Sequence, residues 1–291
     1  MKGFMILPVI TCISFFPFLK LSLSSVQIHY FRSKCSSDEG NNYTKNSVYE
    51  TNLNLALAIL SSQAASNRSF FNFTTGTGSN QVYALYLCRG DITHQLCKSC
   101  INDATNLLPT QKCPYIKESI IWYNECMLRY SNSNIFSIGV STNGNWVSWD
   151  SDYNVSNPGQ LSQVLSDTMN ELIKKAVSME TTPAYFQTGE AKLTDFEMVY
   201  CLVQCTPDIT GFECKRCLLA ALAYYPNCCT VGSEWAMMFG ESCLMMYDTA
   251  PFYNIQPAPP LVPGSTPLEP NSTHDRGHPP LSDRNKNSSG T

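Results

Sequence analysis

Residues 88–100, CRGDITHQLCKSC, return 117 positions later as residues 205–217, CTPDITGFECKRC. The cysteines keep their spacing, Cys88-x8-Cys97-x2-Cys100 against Cys205-x8-Cys214-x2-Cys217, and Asp91-Ile92-Thr93 reappears as Asp208-Ile209-Thr210. Cys126 and Cys243 obey the same offset, as do the alternating residues Ile120, Trp122, Leu128 and Tyr130 against Met237, Phe239, Met245 and Tyr247. Chance does not reproduce four cysteines and their apolar phase at one displacement. A repeat this long is a duplicated domain, well beyond the 20–50-residue unit of a solenoid.

Each copy reads as a mixture of helix and strand. Leu53, Ala56, Leu57, Leu60 and Ala64 follow the i, i+3, i+4, i+7 spacing of a helix with one buried face. Leu161, Val164, Leu165, Thr168, Met169, Leu172, Ile173 and Ala176 form the matching stripe in the second copy. A second helix begins around each C-x2-C, where cysteines three apart share a face. Residues 81–88, 119–130, 136–141, 196–205 and 234–247 alternate or are rich in β-branched and aromatic residues, so they read as strands. Asn143-Gly144 reads as a tight turn before Trp146 and Trp149, and Asp150 to Gln160 as a short polar connection between the copies.

The ends of the chain set the compartment. Lys2 followed by an apolar run from Phe4 to Phe18 and the small residues Ser22 to Ser25 predicts a signal peptide over 1–25, with a retained signal anchor as the alternative. The copies then occupy 28–135 and 150–250. Nine of the 17 prolines fall within 251–291, which reads as a Pro-rich disordered tail. No later apolar run reaches 18 residues, so no membrane span is expected in the mature chain. Without the leader, 17 basic residues face 23 acidic ones, a balance of −6 that offers no footprint for nucleic acid. Six sequons, at Asn42, Asn67, Asn72, Asn154, Asn271 and Asn287, are candidate glycosylation sites on that route.

Outside the leader stand thirteen cysteines, which in a secreted chain read first as a disulfide framework. An odd count leaves at least one thiol free or bridged to another molecule. Two C-x2-C pairs could supply four thiolates to zinc, but each pair already belongs to a full cysteine set and the route is oxidising. Redox exchange would need Cys97 or Cys214 as an exposed thiolate at a helix start. The chain lacks G-x-S-x-G, H-E-x-x-H and G-x-x-x-x-G-K-[ST], and nothing points to a catalytic pair among His29, His94, His274 and His278. A non-enzymatic protein with no cofactor and no metal is expected. Trp122 lies in the core phase of its strand, whereas Trp146 and Trp149 flank a turn and are candidates for ligand contacts.

The duplicated C-x8-C-x2-C behind a leader, with Val203-Gln204-Cys205-Thr206-Pro207-Asp208 and Cys126-Met127-Leu128-Arg129-Tyr130-Ser131, resembles the plant Gnk2-homologous domain, also called the domain of unknown function 26. The resemblance covers about residues 28–250 and extends to cysteine-rich repeat secretory proteins and to the ectodomains of cysteine-rich receptor-like kinases. It implies an α+β fold of two tandem domains, each an antiparallel sheet of about five strands packed with two helices and stapled by disulfides. The implied pairs are Cys35–Cys113, Cys88–Cys97 and Cys100–Cys126, then Cys205–Cys214 and Cys217–Cys243. Cys201, Cys228 and Cys229 are left to compete; one outcome bridges Cys201 to one of the vicinal pair.

The family includes a mannose-binding antifungal seed protein whose sugar site uses an asparagine, an arginine and a glutamate. The matching first-copy positions hold Ser36, Ile120 and Ser131; in the second copy the arginine position falls near Met237 and the glutamate position at Asp248. Isoleucine and methionine offer no hydrogen bonds to sugar hydroxyls, so that triad does not carry over. Asp248, Trp146 and Trp149 are the candidate ligand-binding residues. The resemblance implies a secreted apoplastic protein that recognises an extracellular carbohydrate or a receptor-kinase ectodomain in plant stress or defence signalling. The alternatives are an antifungal lectin-like protein that binds cell-wall glycans, the truncated ectodomain of a receptor-like kinase, and a dimerising module joined through the odd cysteine.

Overall fold

The computed structural model describes residues 27–38, 40–139, 146–178 and 185–253. The leader, the Asn143-Gly144 turn, and the tail beyond Tyr253 with Asn271 and Asn287 lie outside the described residues. The first copy contains β1 (Tyr30–Cys35), α1 (Val48–Ala65), β2 (Phe70–Thr75), β3 (Val82–Cys88), α2 (His94–Leu107), β4 (Ser119–Tyr123) and β5 (Cys126–Ser131). The second contains β6 (Val147–Asp150), α3 (Pro158–Val177), β7 (Phe186–Lys192), β8 (Met198–Cys205), α4 (Gly211–Cys228), β9 (Trp235–Phe239) and β10 (Cys243–Asp248). The strands form two five-stranded antiparallel sheets of identical order, β1-β4-β5-β3-β2 and β6-β9-β10-β8-β7.

Local chemistry sets the helix starts. Ser47, Thr93, Asn157 and Thr210 each accept a hydrogen bond from the backbone N–H three residues on, satisfying a donor the first turn leaves open. Pro158 then opens α3, where its missing N–H costs nothing. The stripe Leu161, Leu165, Met169, Leu172, Ile173 and Ala176 is buried against the helix-facing side of the second sheet, as Leu53, Ala56, Leu57, Leu60 and Ala64 are in the first.

Stretches 119–130 and 234–247 each divide into a hairpin, β4–β5 and β9–β10. Of the strand expected over 136–141, the described residues 136–139 form none. Ser137 takes a positive φ of 56° and donates its N–H and hydroxyl to Asp208 Oδ2 and O at 2.8 and 2.9 Å, so this backbone is committed to the second copy. Phe252 and Tyr253, assigned to the tail by composition, belong to the folded unit. Arg89 lies over the Phe252 ring, and the Tyr253 hydroxyl donates to Gly189 O at 3.1 Å.

The copies are not beads on a linker. The sheet faces turned away from the helices meet in a third apolar layer: Leu85, Leu87, Ile120, Trp122 and Met127 against Leu202, Phe239 and Met246. Trp122 is 1% exposed and its indole Nε1 donates to Gly240 O at 3.0 Å. Gln204 spans the same seam, accepting from Gly90 N at 3.1 Å and donating to Cys88 O at 3.2 Å. Gly90 is required there, because a Cβ would stand 2.5 Å from the Phe186 ring.

Candidate ligand-binding cleft

A cleft of about 580 Å³ opens at one end of this seam, lined by Lys34, Ser36, Asp38, Glu118, Arg129 and Glu241 among others. Register explains how a buried guanidinium reaches it. Lys34, Ile120 and Arg129 are direct partners across β1, β4 and β5, so they share the face turned toward the second copy. Arg129 is 8% exposed. Its Nη2 lies 2.9 Å from Glu241 Oε2 in the β9–β10 turn and 3.6 Å from Glu118 Oε1 on its own copy. One guanidinium between two carboxylates leaves the cleft an excess of acceptors, with the Ser36 hydroxyl at its rim. Such a set can hold a ligand rich in hydroxyl or cationic donors while Arg129 takes an acceptor from it.

Two positions that match the family's sugar triad, Ser36 and Ile120, line this cleft. The third, Ser131, is buried and its hydroxyl accepts from Ser133 N at 3.1 Å. The guanidinium comes instead from Arg129, on the strand beside Ile120, and a carboxylate arrives from the other copy. Sequence reasoning passed over Glu118, Arg129 and Glu241. The available signal was a charge inside the otherwise uncharged, fully buried β5, where arginine is rarely found unpaired.

Asp248, Trp146 and Trp149 do not converge. Trp149, opposite Met237, lies on the seam face with its ring centroid 5.7 Å from that of Phe31. Asp248 ends β10 on the same face, opposite Trp235, and accepts from Ala250 N at 2.8 Å. Burial pushes its carboxyl above the usual range. Trp146 precedes β6 by one residue and packs, partly buried, on the helix side, stacked on Tyr224 at 6.3 Å and close against Gly240.

The structure joins Cys35 to Cys113, Cys88 to Cys97, Cys100 to Cys126, Cys205 to Cys214 and Cys217 to Cys243. It bonds the vicinal Cys228 and Cys229 to each other. Cys201 therefore does not bridge to either. It sits fully buried in β8 at the place that Ala84 occupies in β3, 117 residues earlier, so it packs as a small apolar side chain. Burial raises its thiol to about 12, and a protonated, enclosed sulfur is not presented for a bridge to another chain. Asn42, Asn67 and Asn154 are exposed and Asn72 is partly exposed. No group of three or more His, Cys, Asp or Glu among the described residues could hold a metal ion. No helix among them is long and apolar enough to cross a membrane.

The salt stress response/antifungal family profile matches residues 34–133 and again 148–250. An antimicrobial ginkbilobin-2-like protein of Castanea crenata is 36% identical over 241 residues, spanning 81% of this chain and 95% of its own. Cysteine-rich repeat secretory protein 1 of Arabidopsis thaliana is 36% identical, spanning 79% of this chain and 66% of its own. Cysteine-rich receptor-like protein kinase 25 of the same plant is 38% identical over 77% of this chain, which spans only 33% of the kinase. Among solved structures, the tandem DUF26 ectodomain of the Arabidopsis thaliana cysteine-rich receptor-like protein PDLP8 superposes with a TM-score of 0.64 at 21% identity, over 77% of this chain and 99% of that one.

Proposed function

The chain belongs to the salt stress response/antifungal family of secreted cysteine-rich proteins and receptor ectodomains, and from that premise we propose that it is a non-enzymatic apoplastic recognition protein whose ligand site is the cleft at Arg129. The observation that carries this reading is the Arg129–Glu241 contact of 2.9 Å, in which one copy supplies the guanidinium and the other the carboxylate at a cleft of about 580 Å³. An extracellular polyhydroxylated ligand, such as a cell-wall oligosaccharide in a stress or defence response, matches that mixture of donors and acceptors. The antimicrobial name of the Castanea crenata relative favours the same class. The similarity to receptor-like kinases supports the second reading, in which a receptor ectodomain docks on the protein.

The test is titration of the purified secreted protein with mannans, chitin fragments and other wall oligosaccharides. Saturable binding that weakens at least tenfold in Glu241→Gln, a variant that preserves side-chain shape, supports the cleft. Binding retained in Glu241→Gln and Glu118→Gln but lost in Asp248→Asn or Trp149→Ala moves the site along the seam face and overturns it. Absence of all glycan binding transfers the weight to a protein partner.

A further inference from the structure

Two five-stranded sheets present four edge strands, and three of them carry devices that discourage pairing with another chain. Strand β1 bears Arg32 and Lys34 and shifts register between Tyr30 and Arg32. Strand β6 has four residues and ends on Asp150. Strand β7 contains Gly189, Glu190 and Lys192. Charges, irregular register and shortness are the usual means of blunting an edge.

Strand β2, Phe70-Phe71-Asn72-Phe73-Thr74-Thr75, has none of them. It is six residues long, uncharged, free of proline, and pairs with β3 without a register shift. Every residue in it is partly exposed, and among the described residues no strand pairs its outer side. By composition it is the kind of segment that templates intermolecular pairing. At its centre lies the sequon Asn72-Phe73-Thr74. The side-chain period of a strand places Phe70, Asn72 and Thr74 on one face, opposite Leu87, Leu85 and Tyr83. The Asn72 amide makes no hydrogen bond to another described residue.

We propose that Asn72 carries an N-linked oligosaccharide that closes the β2 edge, doing for this strand what charge, register shift or shortness does for the other three. Phe70, about 7 Å back along the strand and one side-chain repeat away, packs against the inter-sheet layer, so the first sugar, rooted at Asn72, stands at the rim of that layer beside the part of the ring left exposed. The rest of the glycan fills the space an incoming strand would need. The inference rests on passage of the chain through the secretory route. In the modifying step, Asn72 Nδ2 bonds to C1 of the N-acetylglucosamine of a lipid-diphosphate-linked oligosaccharide. The C1–O bond breaks, the lipid diphosphate leaves with the electron pair, and the amide gives up one proton to the transferase.

The experiment uses the full chain secreted from a eukaryotic host, with glycopeptide mass spectrometry and light scattering over a concentration series. Expected are a glycan mass at Asn72 and a monomer. Asn72→Gln and Thr74→Ala form multimers or leave the medium several-fold depleted, while Thr74→Ser retains both sugar and monomer. Asn72→Lys, which lacks the glycan but places a charge on the edge, is monomeric, and Asn67→Gln behaves as wild type. A bare Asn72 beside occupied Asn42, Asn67 or Asn154 overturns the proposal alone. Monomeric Asn72→Gln and Thr74→Ala overturn the edge role. A chain bare at every sequon overturns the secretory reading with it.

Discussion

Asp248 shows how a single side chain acquires its role from its neighbours. Burial is the largest influence on its carboxyl and raises its proton affinity, the Glu234 charge adds to this, and the Ala250 and Thr249 backbone N–H groups oppose it. A carboxyl whose folded affinity exceeds its unfolded one binds more protons in the folded state. Stability from this group is then full below the unfolded carboxylate range and is lost as pH rises through the folded value. Asp248→Asn keeps the acceptor for Ala250 but removes the charge. Its melting midpoint is expected to exceed that of wild type at pH 7, with the gap closing toward pH 3. A gap that is constant or inverted across thermal melts between those limits contradicts the burial argument. Cys201 is the opposite case: an odd cysteine reads as a reactive group in sequence, yet its place in β8 makes it packing.

Among the elements, the first strand of each copy, β1 and β6, is held at the same sheet edge by different chemistry. Cys35 on β1 stands opposite Ser119, and Asp150 on β6 stands opposite Ala236, which is Ser119 displaced by 117. Cys113 displaced by 117 is Thr230. Where the first copy places the Cys35–Cys113 bridge, the second has Asp150 Oδ2 accepting from Thr230 N at 2.7 Å and from the Ser233 hydroxyl at 3.1 Å. A disulfide of this kind contributes about 2–4 kcal/mol. The Thr230 N–H is open to solvent, so removing the carboxylate costs only the net worth of the lost hydrogen bond, roughly 0.5–1.5 kcal/mol. Asp150→Ala should therefore lower denaturant stability by about that amount, and an unchanged urea midpoint would show the clasp to be idle. The helices were legible from their apolar stripes because a packed helix keeps one buried face along its length. The edge strands β1, β2 and β7 were not, because strands that bury neither face fully need no strict apolar–polar alternation, and YFRSKC, FFNFTT and FQTGEAK carry none.

At the scale of the molecule, the seam between the sheets turns two copies into one unit. Trp122 and Gln204 tie the faces together with hydrogen bonds inside an apolar layer, where an unmade bond is costly. The whole folded chain is expected to melt in one calorimetric transition. Trp122→Ala, a large-to-small change that also orphans Gly240 O, should cost about 3–5 kcal/mol and split the transition in two. Two independent transitions in the wild type would show the seam to be weak. The sequence held a hint of this layer: VYALYLC in β3 and MVYCLVQC in β8 are largely apolar in both phases, as strands covered on both faces are. It held nothing about what covers them.

Sequence by itself determined the duplication, the helix stripes, the family and the α+β class, because spacing and periodicity are local properties that the backbone converts directly into faces. The tertiary structure alone decided that the two sheet faces meet, that Arg129 finds Glu241 112 residues further along, and that Cys201 is enclosed while Cys228 and Cys229 bond to each other. Those outcomes depend on which apolar surfaces bury each other and which polar atoms are satisfied across the seam, and no spacing within either copy records that.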